Sequence, residues 1–538
     1  MVDLTRRRWL SAAAITTAAT GVPLAAASAA PAAPEPGSLQ RFDVRNYHAV
    51  GDGQTVNTIA IQKAIDACSA AGGGRVVLDG GAYITGTIYL KSNVILYIEA
   101  GSSLMGSPAI ADYATDTHHN MYAGEPHMDR CLIFARDAEN IGLEGRGAID
   151  GQGKRFPNAG DAAKNRPMLI RFMNCRNIGV RDIVLRAPAA WTSAWLYCSD
   201  IHVDGISIVS RANINGDGLD FDGCENVRVS NCTFDNSDDS ICLQASLPEH
   251  PCRNVVITNC VMTSRWAAIR IGLLSRGDLR DIAVSNCVFH DMTEGGRMEN
   301  LVFSNIVMRN VARPVFVTLN SFPMRVDSPG GPPPIQTLRN LSFSNIQIEA
   351  ATTVQGPQHS FISISGVPGH PVENVAIDNV RFTAPGGGST EHAARRVVPE
   401  FTGQRPESRV LAPALPSYGL YARHVRGLAV SNLSLDTATP DARPGIVCDD
   451  VADLRLSGVT ISGVAGAEHL VRLQNVTTAF ITGCAPRTDC AAFVAVEGAG
   501  SANIALAGND LRRAGKAAAQ ASDVPKGSVV VSGNIPAH

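Results

Sequence analysis

An all-β fold, a single-stranded right-handed parallel β-helix with an N-terminal capping helix, is the class this sequence predicts, and three observations predict it. A nine-residue phrase recurs along the chain, with starts at 200, 226, 254 and 281 that lie 26, 28 and 27 residues apart. Within the phrase, apolar and polar residues alternate and then turn at Asn or Gly, the period of a half-buried strand. Aromatic residues are only 5% of the 538, which suits a narrow interior.

The phrase reads DIHVDGISI from Asp200, NVRVSNCTF from Asn226, NVVITNCVM from Asn254, DIAVSNCVF from Asp281, NLVFSNIVM from Asn300 and NLSFSNIQI from Asn340. It continues as NVAIDNVRF from Asn374, GLAVSNLSL from Gly427, DLRLSGVTI from Asp453 and NIALAGNDL from Asn503. Strands of about five residues cannot bury their apolar side alone, so these units must stack. A right-handed β-helix stacks them one strand spacing apart, about 4.8 Å. A leucine-rich horseshoe is the competing repeat, but the apolar positions here are mostly Val, Ile and Phe. The aligned Asn231, Asn259, Asn286, Asn305, Asn345 and Asn379 predict a ladder of turn amides.

Before the repeats, Thr5-Arg6-Arg7-Arg8-Trp9-Leu10, an Ala-rich apolar run and Ala27-Ser28-Ala29 predict a twin-arginine export signal over 1–29, cleaved near Ala29. Gly21 and Pro23 break the run, which falls short of the roughly 20 apolar residues of a membrane span. A secreted chain with no membrane attachment after cleavage is expected, with a linker over 30–40 and one β-helical catalytic domain over 41–538, acting as a monomer. Thr58 to Ala70 carries Ile61, Ala64, Ile65 and Cys68 on one helical face and is expected to cap the open end of the stack. The Pro- and Gly-rich stretches 320–336 and 385–419 are expected to be loops thrown out between coils, where they can wall a cleft.

A net charge of -3 excludes the basic footprint of a nucleic-acid binder. Of the 46 basic residues 40 are Arg, and no lysine occurs between Lys164 and Lys516, so cationic chemistry in the middle has to come from arginine. The thirteen cysteines read as buried small hydrophobes with occasional disulfides such as Cys484 to Cys490. No cysteine spacing suggests zinc; no metal and no cofactor are expected.

Chemistry concentrates in Asn215-Gly216-Asp217-Gly218-Leu219-Asp220 and, one coil later, Ser237-Asp238-Asp239-Ser240-Ile241. Aligning the inward residues Leu219, Ile241 and Ile269 puts Asp217, Asp239 and Ala267 in one vertical row, with Asp238 just before it. Carboxyl groups so crowded push one another's pKa apart, as acid/base hydrolysis requires. Neighbouring strand residues point to opposite faces, so Asp238 and Asp239 can share a site only if the chain bends there.

With these motifs the sequence resembles glycoside hydrolase family 28, the polygalacturonase-like β-helical hydrolases. The resemblance runs from FDVRNYHAVGDGQTVNTIAIQKAIDACSAAGGGRVVLDGGAYITGTIYLKSNV through the repeats. The family's N-T-D-G-x-D motif is Asn215 to Asp220, with Gly216 for Thr, and its aspartate pair is Asp238-Asp239. The resemblance implies a glycoside hydrolase acting on plant cell-wall pectin-type polysaccharide or oligosaccharide, with Asp238 as general acid and Asp217 and Asp239 as bases in an inverting reaction.

The departures bear on substrate binding. The histidine of the family's G-H-G motif falls at or beside Ala267, and no R-I-K motif follows, since Asp281 to Asn300 is only 19 residues. Gln244 stands where the family often has lysine. These basic residues would hold a substrate carboxylate. Arg270, placed one coil from Asp220 in the same outward row, is the candidate substitute, with Arg265 and Arg276 nearby. Trp266 is a candidate for stacking on a sugar ring, as are Trp191, Trp195 and His202 one coil below; Asn215, Asp220 and Gln244 complete the proposed binding set. The rival readings are a polysaccharide lyase on the same fold and a carbohydrate-binding β-helix that has lost activity.

Overall fold

The structure, a computed structural model, describes residues 40–117, 129–157, 165–272, 275–290, 299–311, 313–319, 337–350, 361–400 and 415–536. The expected export signal, the 320–336 loop and the 401–414 part of the second loop lie outside them.

The chain winds as a parallel β-helix. One coil runs through strands Leu219–Asp222, Glu225–Ser230 and Thr233–Asn236, and the next begins at Ile241–Gln244. The predicted register holds: Leu219 pairs with Ile241 and Ile241 with Ile269, all in parallel. Among the described residues the strands form a 34-stranded and a 7-stranded sheet. The larger one joins two faces of the coil, because the continuous strand Glu299–Val311 pairs with both Leu279–Ser285 and Val288–His290. The smaller one is the third face and ends at Ile269–Ile271. The shortened coil read from the sequence sits immediately after it, where Arg280 already pairs with Glu299.

The Asn residues at the first and sixth positions of the recurring phrase occupy left-handed turns, for example Asn226 at φ 58°, Asn231 at 58° and Asn345 at 55°. Asn tolerates this region better than other side chains, and its amide can also bond to the turn above. The ladder accordingly runs from Asn305 to Asn286, Asn345 to Asn305 and Asn379 to Asn345, at 2.9 to 3.1 Å. One rung differs: Asn286 donates to Thr258 Oγ1 rather than to Asn259. A second ladder, at the first residue of the phrase, joins Asn254 to Asn226, Asn340 to Asn300 and Asn374 to Asn340. Each such bond contributes about 1 kcal/mol net. At Gly427 the same turn is kept at φ 74° without a side chain, where a Cβ would stand 3.1 Å from the Asn374 amide oxygen.

The helix Thr58–Ala70 (α1) buries Ile61, Ala64, Ile65 and Cys68 against the first coils and closes that end of the core, as its apolar face predicts. All thirteen cysteines are buried free thiols. The expected Cys484 to Cys490 disulfide is absent: Cys484 donates to the Thr482 carbonyl, while Cys490 starts a different strand. Most of the thiols fill inward positions of the narrow interior, as in the stacked Cys175, Cys198 and Cys224.

The described part of the second loop is not thrown out. It carries a short helix, Thr390–Ala394 (α2), begun by a capping box of Ser389 and His392. The buried Arg472 donates to the carbonyls of Ala393 and Arg395, and Arg396 forks onto Glu497. Val398 and Leu415 pack with Phe316, Phe361, Tyr421 and Val447 in a second apolar cluster. Guanidinium groups anchoring backbone carbonyls explain why a Pro- and Gly-rich stretch lies flat on the coils. No helix among the described residues is long and apolar enough to cross a membrane.

Candidate active site

The seven-stranded sheet turns two residue columns outward. One column runs Arg171, Ala194, Asp220, Cys242, Arg270, and the other runs Leu196, Asp222, Gln244. Just before these strands, stacked loops supply Asp217, Asp238-Asp239 and Ala267. Their register is carried by the backbone: Gly218 N–H donates to the Asp239 carbonyl and Ser240 N–H to the Ala267 carbonyl, at 2.8 Å each. The predicted row of Asp217, Asp239 and Ala267 is therefore present.

The bend required at Asp238 is present too. Ser237 and Asp238 leave the strand conformation, and the Asp239 N–H donates to Asp238 Oδ1 at 3.0 Å. One carboxylate oxygen from each of Asp217, Asp238 and Asp239 comes within 4.8 Å of the other two. Asp217 and Asp239 are buried, whereas Asp238 is half-buried and is the member of the trio that reaches solvent.

Their surroundings differ. Asp239 Oδ1 accepts the Ala267 N–H at 2.9 Å, and Oδ2 accepts Arg270 Nε at 2.9 Å and lies 3.4 Å from the Cys242 sulfur. Asp217 Oδ1 and both carboxylate oxygens of Asp220 are buried with no hydrogen-bond partner. Burial first, then the negative charges of Asp238, Asp220 and Asp239, push the Asp217 carboxyl well above the ordinary carboxylate range, against the pull of Arg270. Burial does the same to Asp220, opposed by the nearby Cys242 thiol and reinforced by Asp239 and Asp238. Burial also raises Cys242 well above a free thiol, so it stays protonated among these acids.

Asp217 also approaches Asp220 and Cys242 at cation-site spacing. Arg270 already brings a positive charge to this cluster, and a thiol beside carboxylates is a mixed donor set, so we read the convergence as acid/base machinery.

The other candidates divide. Arg270 lies two coils from Asp220, not one, because Cys242 intervenes in the column. It is 7% exposed, with its Nε on Asp239. Trp266 is half-buried beside Ala267, its N–H on Ser264 Oγ; Arg265 is exposed and Arg276 half-buried on neighbouring turns. Gln244 is buried above Asp222. Asn215 accepts from Arg166, whose buried guanidinium also holds the Ile214 carbonyl, so this pair shapes the loop before Asp217.

Two of the candidates lie away from the site, and a third lies in its row but is covered. Trp195 is fully buried and faces inward, edge-on to Phe172. Trp191 stands in the row directly below Asp217, since the Thr192 N–H donates to the Asp217 carbonyl at 2.9 Å, but it is 4% exposed and packed with Phe134, Met168 and Ala194. His202 belongs to the larger sheet, where its Nε2 lies 2.9 Å from Arg228. Trp195 and His202 come from the correct coil, but the coil has three faces and an inside. Cys242 and Arg166 were missed. Cys242 was detectable, since aligning Leu219 with Ile241 puts it beside Asp220; Arg166 precedes the repeat and left no such signal.

Comparison with known proteins gives the family and the fold. The family model described as glycosyl hydrolases family 28 matches residues 111–400. An exo-poly-alpha-D-galacturonosidase of Dickeya chrysanthemi is 27% identical over 344 residues, which is 52% of this chain and 57% of that protein. A probable polygalacturonase of Vitis vinifera is 23% identical, over 62% of this chain and 72% of the other. The solved family 28 exopolygalacturonase of Yersinia enterocolitica has a similar fold, with a TM-score of 0.60 at 22% identity over 78% of each chain.

Proposed function

The chain belongs to glycosyl hydrolases family 28, and on that premise we propose that it hydrolyses glycosidic bonds in plant cell-wall pectin-type polysaccharide or its oligosaccharides, outside the cytoplasm. The single observation that carries this reading is the meeting of three carboxylates from adjacent coils within 4.8 Å, one of them half-exposed and two buried.

Asp238, on the solvent side, gives its proton to the leaving glycosidic oxygen as the bond from the anomeric carbon breaks. A water attacks that carbon and its proton passes to Asp217, whose Oδ1 has no other partner. The cycle ends with the proton on Asp217, whose pKa burial raises, and the next cycle begins once that proton has crossed the short gap to Asp238. In two-carboxylate inverting sites the groups stand about 6.5–9.5 Å apart with water between them. This cluster is tighter, so inversion is assigned from the resemblance to family 28, with the attacking water beside Asp217.

Incubation with a panel of plant polysaccharides tests the activity. New reducing ends without ultraviolet absorbance from unsaturated uronides support hydrolysis. Such absorbance selects the lyase, and binding without cleavage selects the inactive scaffold.

A further inference from the structure

We propose that Arg270 is a positioning residue that holds Asp239 as a permanent anion, so that Asp217 alone of the buried pair accepts the proton from water. The inference rests on the hydrolase reading for its catalytic meaning, but its physical content is testable without turnover.

The argument is one of saturated and unsaturated acceptors. Both oxygens of Asp239 are engaged, Oδ1 by the Ala267 N–H and Oδ2 by the guanidinium of Arg270, with the Cys242 thiol 3.4 Å from Oδ2. A carboxylate fixed by a charged and a backbone donor gains nothing by taking a proton, since protonation would set an O–H against donors already in place. Asp217, one coil below, keeps an oxygen with no partner in the same site. The two carboxylates thus share a register but not a task.

Arg270 can play this part because of where its strand lies. It stands in the outward column directly above Cys242, and Asp239 lies in the loop leading into the Cys242 strand. The guanidinium therefore reaches back one coil, over the small cysteine, and its side chain is 9% exposed against 0% for Asp239. A larger residue than Cys at 242 would stand in that path. Among the described residues, the charged and titratable groups that share this cluster with Asp239 include the acids Asp217, Asp220 and Asp238, together with Cys242 and Arg270. Arg270 is the cation that offsets them. This also accounts for an arginine buried in a site whose other charges are negative.

The test is a titration by NMR of protein carrying carbon-13 in its aspartate carboxyls, with the two signals assigned from Asp239→Asn and Asp217→Asn. In the native protein Asp239 should stay ionised to a lower pH than Asp217. Arg270→Gln should move the Asp239 midpoint upward by about one to three pH units, the usual effect of an opposite charge at this range. Arg270→Lys should recover most of the native midpoint, and circular dichroism identifies any variant that has not folded. If activity is found, the acidic limb of kcat for Arg270→Gln should shift while Arg270→Lys returns it. An Asp239 midpoint equal to that of Asp217 in the native protein, or unmoved by Arg270→Gln in a folded variant, overturns the proposal. An inactive native enzyme with the expected midpoints overturns the hydrolase reading instead.

Discussion

Asp217 and Asp239 stand one coil apart in the same register, yet Asp217 Oδ1 meets no donor while each Asp239 oxygen meets at least one. Two identical side chains at equivalent positions have been made unequal by the residues of a third coil.

Replacing Asp217 or Asp238 by Asn should lower turnover by about 100-fold or more with the fold intact, the usual scale for losing an acid or base. Asp238→Asn should spare substrates with good leaving groups, which need little protonation. Proton NMR of the first product should show inverted anomeric configuration; retention, or full activity of Asp238→Asn on natural substrate, would sink the residue assignment.

Stability should depend on pH through Asp217 and Asp220, both raised by burial. A carboxyl with a raised folded pKa supports folding fully below its unfolded value of 3.8 and loses that support as pH rises through the folded one. Asp217→Asn and Asp220→Asn should therefore melt higher than the native protein at neutral pH, with the advantage vanishing in strong acid. Thermal melts across pH check this, and equal melting points at neutral pH would count against buried, unpaired carboxyls.

The thiols give a prediction that corrects the sequence reading. Thirteen free cysteines should react with an aromatic disulfide reagent after denaturation without reductant, and almost none before it, because all are buried. Fewer than thirteen, restored by reductant, would reveal a disulfide.

Turnover should survive chelator treatment, because the proposed acid and base are carboxyls and Arg270 already supplies the positive charge of the cluster. Loss of activity with EDTA that calcium restores would move the assignment to a lyase.

Changing Arg6, Arg7 and Arg8 together to lysine should keep the full-length protein in the cytoplasm, since consecutive arginines are read by a receptor rather than as general charge. Undiminished secretion of that variant, measured by immunoblot of the medium, would defeat the export signal.

What the sequence determined by itself was periodic. The recurring Asn demanded left-handed turns, the alternating Val, Ile and Phe demanded an inside, and the spacing of Leu219, Ile241 and Ile269 brought Asp217 under Asp239. Periodicity counts residues along a coil, so it predicts which residues stack. It does not say which of three faces a side chain occupies once a turn is inserted, which is why His202 and Trp195 were grouped with the site and belong elsewhere. Nor does it say where a long side chain ends. Only the tertiary structure decided that Arg270 reaches back over Cys242 to Asp239, and that Arg472 pins a Pro- and Gly-rich loop to the coils. The physical reason is reach: a guanidinium sits several bonds from its Cα, so its partner is chosen by space and charge rather than by the repeat.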